Sequence, residues 1–394
     1  MRHIRPAQTR HGHCPSVEAN SMPLVKKAEP GKKAEPRLND RNVRAYLASR
    51  FGSHVRVLGL TVLGQVGTAD VKGYGYGIPV KVDYELDGQR CSAVLETVTP
   101  GGFGHEHMAD RAQILLWSHA AFNVLPEHVR SLDVGGFRRD GTLTSVRDVE
   151  EFFILNEYVT GEGYYRDLER LRDGGDLRDL DVARADALCD YLVRIHQVRG
   201  PDPALYVRRV RELVGHNECI MGILDSYPPK VDAVTASQLE AIEHACVEWR
   251  WRLKGHTHRL RQVHGDFHPW NLLFQDGARF VVLDRSRGEW GDPADDVACL
   301  TMNYVFFSLQ RSGRLEGNLE TLFSRFWQRY LDATGDEELR AVVAPFLAFR
   351  ALVMASPVWY PRLPGTVRST LLTFVRTVLH EPAFDQARVN EYCG

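Results

Sequence analysis

Apolar positions divide the chain into a strand-like first part and a mostly helical second part. The segments "VRVLGLTVLG", "IPVKVDYEL" and "RCSAVLETV" alternate or run apolar in the way β-strands do. From Asp181 onward, apolar residues recur at helical spacing, interrupted near 262–284 by short apolar runs. This order predicts an α+β fold with two lobes, a small β-rich N-terminal lobe and a larger, mostly helical C-terminal lobe.

Local signals place further elements in the first part. Asn39 or Asp40 can cap a helix whose apolar face includes Val43 and Leu47 and which ends at Gly52. The pattern also predicts a helix within 106–122 and strands near 131–137 and 151–158.

The composition narrows the class of protein. The 394 residues are 44% hydrophobic and 25% charged, and 49 Lys and Arg nearly cancel 51 Asp and Glu. Seven scattered cysteines form no C-x-x-C pair, and no apolar run approaches the roughly 20 residues of a membrane span. These totals predict a soluble, cytoplasmic protein, with neither a membrane role nor a broad basic surface for nucleic acid.

The N-terminus differs from the rest of the chain. Residues 1–36 contain the repeat "KKAEPGKKAEP" and few large apolar residues, which predicts a disordered tail. This tail carries seven Lys and Arg against three Asp and Glu. A solvated extension is the interpretation we favour, and a nucleic-acid tether is the alternative. The predicted lobes then cover residues 37–157 and 158–394.

One polar turn carries the candidate chemistry. In "QVHGDFHPWNLLF", Asn271 follows Asp266 by five residues, and Asp284 follows after thirteen more, at the end of the run "RFVVL". Phosphoryl transfer needs one carboxylate to orient the acceptor hydroxyl, and an amide and a second carboxylate to hold Mg²⁺. Because Mg²⁺ takes oxygen ligands, Asn and Asp are the appropriate residue types. Flanking β-like runs would allow the three side chains to converge.

These residues resemble a known family. H-G-D-x-x-x-x-N, a following Asp and "GDPADD" are similar to motifs of the aminoglycoside phosphotransferase and choline kinase-like family, whose fold is protein kinase-like. The resemblance implies Asp266 as catalytic base, Asn271 and Asp284 as Mg²⁺ ligands, His264 as a brace of the loop and Asp296 as its support. It also implies ATP as co-substrate and a small-molecule hydroxyl as acceptor.

The same resemblance extends to two segments before the loop. "FFILNEYVTG" is similar to the hinge between lobes, which implies that the backbone of Glu157, Tyr158 and Val159 meets the adenine. "LCDYLVRIHQV" is similar to a family helix that ends in a Leu-His-like pair.

The family pattern fails at one position. Kinase-like enzymes place a phosphate-binding lysine on the third strand, where this chain has Glu96. Asp87-Gly88 predicts a two-residue hairpin turn, so that Lys81 faces Val94 and shares a face with Glu96. We expect Lys81 to supply the missing cation, braced by Glu106; a solvent-facing Lys81 is the alternative.

The acceptor is less constrained by the sequence. Residues 200–261 carry nine Lys and Arg against eight Asp and Glu, whereas a polycationic antibiotic would prefer an acidic surface. Arg285 and Arg287 would repel such a ligand if they face the site. We therefore expect a neutral or anionic metabolite. An aminoglycoside acceptor and a nucleotide-binding pseudoenzyme remain alternatives, and the sequence does not indicate an oligomeric state.

Overall fold

The computed structural model describes residues 38–394 except 53, 64–76, 78, 102–103, 125, 127, 153, 230 and 232. The chain divides into two compact units between Ile154 and Leu155. The predicted tail, residues 1–36, lies outside the described residues. Among the residues that are described, no helix has the length and apolar character needed to cross a membrane.

The N-terminal unit is a helix packed on an antiparallel sheet in the order β1-β2-β3. Helix α1 has Asn39 as its N-cap, because the Asn39 side chain accepts a hydrogen bond from the backbone N–H of Asn42 (2.9 Å). Its buried face packs with alternate residues of the sheet, including Val82 and Tyr84. The elements are α1 (Asp40–Phe51), β1 (Val55–Val62), β2 (Val80–Leu86) and β3 (Gln89–Leu95).

The predicted hairpin and its register are confirmed. β2 pairs with β3 through a turn at Asp87 and Gly88, whose φ angles of 51° and 82° suit a two-residue type I′ turn. Lys81 lies opposite Val94, as expected. Because Val80 and Val82 are buried, Lys81 lies on the other face of the sheet, away from the α1 core.

The rest of this unit corrects one prediction. The helix within 106–122 is confirmed as α2 (Met108–Phe122), and the strand near 131–137 is reduced to β4 (Gly135–Phe137), which pairs with β5 (Leu143–Ser145). The strand predicted at 151–158 is wrong: its described residues have no regular secondary structure. Its apolar run resembles a strand, but no described strand pairs with it, and Ile154 and Leu155 are more than 80% exposed.

The C-terminal unit is mostly helical, and its core surrounds α8. This helix is buried on all sides from Pro293 to Leu309, as expected for the central helix of a domain. It packs against α3, α9 and α11. The helices are α3 (Tyr165–Arg172), α4 (Asp179–His196), α5 (Ala204–Gly215), α6 (Ile220–Asp225), α7 (Ala236–Leu253), α8 (Pro293–Ser312), α9 (Gly317–Thr334), α10 (Leu339–Val342), α11 (Ala344–Ala355), α12 (Gly365–Val378) and α13 (Val389–Cys393).

Short strands frame the motif segment within this unit. They form a sheet in the order β6-β8-β9 and a separate pair, β7 with β10. Their bounds are β6 (Glu162–Gly163), β7 (Arg261–Gln262), β8 (Leu272–Asp276), β9 (Arg279–Val282) and β10 (Trp290–Gly291). A small strand-rich unit followed by a mostly helical one confirms the predicted α+β class.

Candidate active site

The loop between β7 and β8, residues 263–271, has a glycine-dependent conformation. Gly265 has φ +85°, which a residue with a Cβ rarely adopts. A Cβ there would also lie 3.2 Å from Nη2 of Arg209 and 3.3 Å from Cβ of Arg287. Further along, the His268 side chain accepts a hydrogen bond from the backbone N–H of Trp270 (3.2 Å) and caps a 3₁₀ turn. Both Gly265 and His268 therefore contribute to the conformation of the loop from within it.

Asp296 of α8 fixes the start of this loop. Its carboxylate accepts hydrogen bonds from the backbone N–H of His264 (2.8 Å) and of Gly265 (2.7 Å), and it contacts Nε2 of His196 at 3.1 Å. Burial opposes ionisation of Asp296, but the hydrogen bond from His196 and nearby charges lower its pKa below the usual range. Nδ1 of His196, at the end of α4, lies 2.7 Å from the hydroxyl of Tyr330.

His264 links the loop to the segment that carries Asp284. Burial lowers the pKa of His264, which keeps the imidazole neutral. Its Nε2 lies 3.0 Å from the carbonyl of Leu283, and its Nδ1 is 3.3 Å from the backbone N–H of Asp266. A neutral ring with its proton on Nε2 satisfies both contacts. His264 and Asp284 also line one cavity of about 210 Å³.

The predicted metal ligands lie on adjoining backbone. Nδ2 of Asn271 donates to the carbonyl of Asp266 (3.0 Å), and the backbone N–H of Leu283 donates to the carbonyl of Asn271 (2.8 Å). Asp284, the next residue, has φ +52° and an exposed carboxylate that accepts from the backbone N–H of Ser286 (3.2 Å). A strained backbone that presents a carboxylate is a common feature of functional sites. The amide oxygen of Asn271 and the carboxylate of Asp284 are the hard oxygen donors that fit Mg²⁺.

Two guanidinium groups and one imidazole surround the carboxylate of Asp266. Arg350 donates to it from Nη1 at 2.5 Å, Nε2 of His268 lies at 3.5 Å and Nε of Arg287 lies at 4.0 Å. Burial alone would raise the pKa of Asp266, but the hydrogen bond from His268 and the charges of Arg350 and Arg287 hold it well below its usual range. Asp266 is therefore an anion at neutral pH.

Arg350 is the residue of this site that the sequence interpretation missed. It lies in α11, is 95% buried, and donates from Nη2 to Asp295 (2.7 Å) and to the carbonyl of Gly265 (2.9 Å). Asp295 is also 3.6 Å from Arg209. Arg350 thus joins the loop to α8 through Asp295, the residue next to Asp296. A single charge within "APFLAFRALVMA" was the available signal, because a buried charge requires a partner.

The motif "GDPADD" forms the beginning of α8. Asp292 caps this helix by accepting from the backbone N–H of Ala294 (2.9 Å). Its buried carboxylate also accepts from Nε and Nη2 of Arg259 (2.9 and 3.0 Å) and from the hydroxyl of Tyr206 (2.8 Å). This network holds the residues that follow, Asp295 and Asp296, against the loop.

The predicted nucleotide-binding residues lie elsewhere in the chain. Lys81 and Glu106 belong to the N-terminal unit, where Nζ of Lys81 is paired with Asp83 on its own strand (2.8 Å). Glu96 is exposed and directly follows β3. The segment 157–159 begins the C-terminal unit without regular secondary structure, with the side chains of Glu157 and Tyr158 exposed and Val159 half-buried. The roles of Lys81, Glu106, Glu157, Tyr158 and Val159 stay predictions.

A comparison with models of protein families agrees with the sequence motifs. The model of a family described as a phosphotransferase enzyme family matches residues 126–342, more than half of the chain. No curated protein sequence matches the chain.

Solved structures of several kinases are similar at low identity. An amicoumacin kinase in complex with AMP-PNP and Ca²⁺ is 14% identical, over 90% of this chain and 98% of that chain, with a TM-score of 0.39. A glucosamine kinase is 16% identical over 86% and 89% of the two chains, with a TM-score of 0.33. An ethanolamine kinase from Plasmodium vivax is 13% identical over 85% and 80%, with a TM-score of 0.33. These scores are too low to transfer an acceptor to this chain.

The family match and the architecture agree. A small strand-rich unit followed by a larger helical unit is the order of elements that was predicted for a protein kinase-like fold. The chain belongs to the phosphotransferase enzyme family that its H-G-D-x-x-x-x-N and "GDPADD" motifs indicated.

Proposed function

We propose that this phosphotransferase moves the γ-phosphoryl group of ATP to a hydroxyl of a small molecule and requires Mg²⁺. The observation that carries the proposal is the position of Asp266. Its carboxylate is ionised and lies on a loop that Asp296 and Arg350 anchor. The side chain of Asn271 donates a hydrogen bond to the backbone carbonyl of Asp266. This is the arrangement that phosphoryl transfer requires of a base and its neighbouring metal ligand.

In this proposal Asp266 acts mainly by positioning. The acceptor hydroxyl donates a hydrogen bond to the Asp266 carboxylate, which aligns the oxygen with the γ-phosphorus. The carboxylate accepts the proton as the new P–O bond forms and the bond between the γ-phosphorus and the bridging oxygen breaks, which releases ADP. Because the transition state is loose, a carboxylate with a low pKa suffices. Asn271 and Asp284 would hold Mg²⁺, which neutralises charge on the triphosphate when bound. His264 and Asp296 keep these groups in place.

The acceptor that we propose is neutral or anionic. Arg285 donates from Nε and Nη2 to the carbonyl of Val263 (3.0 and 2.7 Å) and from Nη2 to the carbonyl of Glu289 (3.1 Å), so these two nitrogens are directed toward the protein. Arg287 is held more loosely: it lies 4.0 Å from Asp266 and makes contacts of 3.4 and 3.5 Å to Cys219 and Glu218. A cation beside the base disfavours a polycationic acceptor and suits an anionic group.

A nucleotide-binding pseudoenzyme is the second candidate. It is favoured by the ion pair between Lys81 and Asp83, which Lys81 must leave before it can contact a nucleotide phosphate. The two candidates differ in turnover. If Lys81→Ala leaves both ATP binding and turnover unchanged, the role proposed for Lys81 is wrong.

An ADP-release assay with an acceptor panel tests the proposal. The panel contains sugars, hydroxylated acids, amino alcohols and aminoglycosides, and each is assayed with the wild type, Asp266→Asn and Asp276→Asn. Asp276 is an exposed residue of β8 and serves as the matched control. We expect acceptor-dependent ADP release from the wild type and from Asp276→Asn, with a loss of at least about 100-fold in Asp266→Asn, as for removal of a catalytic base. Equal ADP release from all three proteins would contradict the mechanism proposed for Asp266. Faster ADP release with aminoglycosides than with the other acceptors would contradict the proposed acceptor class.

A further inference from the structure

Two histidines and a glutamate meet at a second place in the C-terminal unit. His256 and His258 lie on one turn after α7, and Glu338 precedes α10. Nε2 of His258 is 2.6 Å from Oε2 of Glu338, and Nδ1 of His256 is 3.9 Å from Oε1 of the same carboxylate. One ligand atom from each residue lies within 4.8 Å of the others. We call these three residues the His-His-Glu cluster.

The spacing of the cluster fits a small metal ion. Zn²⁺ binds imidazole nitrogen and carboxylate oxygen at about 2.0–2.2 Å, so tetrahedral ligand atoms lie about 3.3–3.6 Å apart. The two measured separations, 2.6 and 3.9 Å, fall on either side of that value. The side chains of His258 and Glu338 are about half exposed, so rotation of these side chains can supply the required changes of less than about 1 Å. Backbone hydrogen bonds within 253–260 hold the turn that carries both rings.

The cluster also contains a buried polar atom without a hydrogen bond. Nδ1 of His256 is shielded from solvent, and none of the described residues forms a hydrogen bond with it. Leaving a buried nitrogen unsatisfied costs free energy. Coordination of a metal ion at this nitrogen would remove that cost.

A neighbouring arginine makes a longer contact with the same carboxylate. Nη1 of Arg259 is 3.5 Å from Glu338, but this guanidinium already donates to Asp292 and to Asp336 at 2.6–3.0 Å. Four of its five N–H groups therefore bind these two carboxylates, at shorter distances than the contact with Glu338. If Glu338 turns toward a metal ion, Arg259 keeps both of its main partners.

We propose that the His-His-Glu cluster binds Zn²⁺ or a similar transition-metal ion, at a site separate from the proposed Mg²⁺ site. Imidazole ligands select such ions over Mg²⁺, which prefers oxygen. The bound ion would join the turn after α7 to the start of α10. Because Arg259 lies in that turn and binds Asp292, the ion would stabilise the region that caps α8.

Metal binding to the full chain tests this site. Chelator-treated wild type, His258→Ala, Glu338→Gln and His380→Ala are titrated with Zn²⁺ and, for spectroscopy, Co²⁺, all in excess Mg²⁺. His380 is an exposed histidine at the end of α12 and provides the control. The chain also has His3, His11, His13 and Cys14 near its N-terminus, so the quantity compared is the difference in stoichiometry between proteins.

The outcomes are distinct. We expect the wild type and His380→Ala to bind one more Zn²⁺ than His258→Ala and Glu338→Gln, and to gain thermal stability with Zn²⁺ that those two variants do not gain. Glu338→Gln keeps the side-chain shape and so remains informative if His258→Ala does not fold. Equal stoichiometry and equal thermal shifts in all folded proteins would overturn the proposal.

Discussion

The ion pair between Arg350 and Asp266 provides a quantitative prediction. Removing one partner of a buried pair costs about 3–5 kcal/mol, so Arg350→Met should lower the free energy of unfolding by that amount. Asp266→Asn should lower the free energy of unfolding by a smaller amount, because the wild-type carboxylate is partly exposed and Arg350 keeps Asp295 as a partner. A hydrogen bond between charged groups contributes about 1.5–3 kcal/mol, which is the coupling energy that we expect between these two substitutions.

Urea unfolding of a double-mutant cycle measures this coupling. The proteins are the wild type, Arg350→Met, Asp266→Asn and the double variant. The control cycle replaces Arg350→Met by Arg368→Met, since Arg368 is also buried but donates to backbone carbonyls of Ala355 and Tyr360. The control should be additive within about 0.5 kcal/mol. If the Arg350 cycle is equally additive, the ion pair does not stabilise the loop.

Three further predictions concern the same region. Gly265→Ala should lower the free energy of unfolding by more than about 1 kcal/mol and reduce turnover. Gly277 also has positive φ, but no atom lies within 4 Å of the position of an added Cβ. Gly277→Ala should therefore lower the free energy of unfolding by about 1 kcal/mol and leave turnover unchanged. Because burial lowers the pKa of His264, the unfolded chain binds a proton more readily than the folded protein does. The free energy of unfolding should therefore decrease as the pH is lowered below about 6.5. The urea midpoint of His264→Gln should decrease less over the same pH range. Tyr206→Phe removes the hydroxyl bonded to Asp292 and should cost about 1.5–3 kcal/mol, measured by urea unfolding.

Locally encoded features could be predicted from the sequence. The turn at Asp87 and Gly88 fixes the register of two strands. Both residues tolerate positive φ, and a two-residue turn determines which residues of the flanking strands face each other. Asn39 likewise marks the start of α1. The order of Asp266, Asn271 and Asp284 identified the family because it reflects the chemistry of one reaction.

Features that depend on distant residues could not be predicted. Arg350 meets Asp266 across 84 positions, and nothing in the local pattern of α11 specifies that partner. The strand expected at 151–158 failed because an apolar run becomes a strand only when another strand pairs with it. The ion pair of Lys81 was missed although Asp83 is its neighbour on the same face, because the prediction considered only the cross-strand partner.

Calorimetric titration of ATP tests the central claim most directly. ATP is titrated with and without Mg²⁺ into the wild type, Asp284→Ala and the exposed control Asp276→Ala. We predict that the wild type and the control bind ATP only with Mg²⁺, and that Asp284→Ala loses this binding, because the proposed function gives Asp284 the role of a metal ligand. ATP binding that is absent from the wild type, or that is indifferent to Mg²⁺ and to Asp284, would contradict the proposed phosphotransferase site.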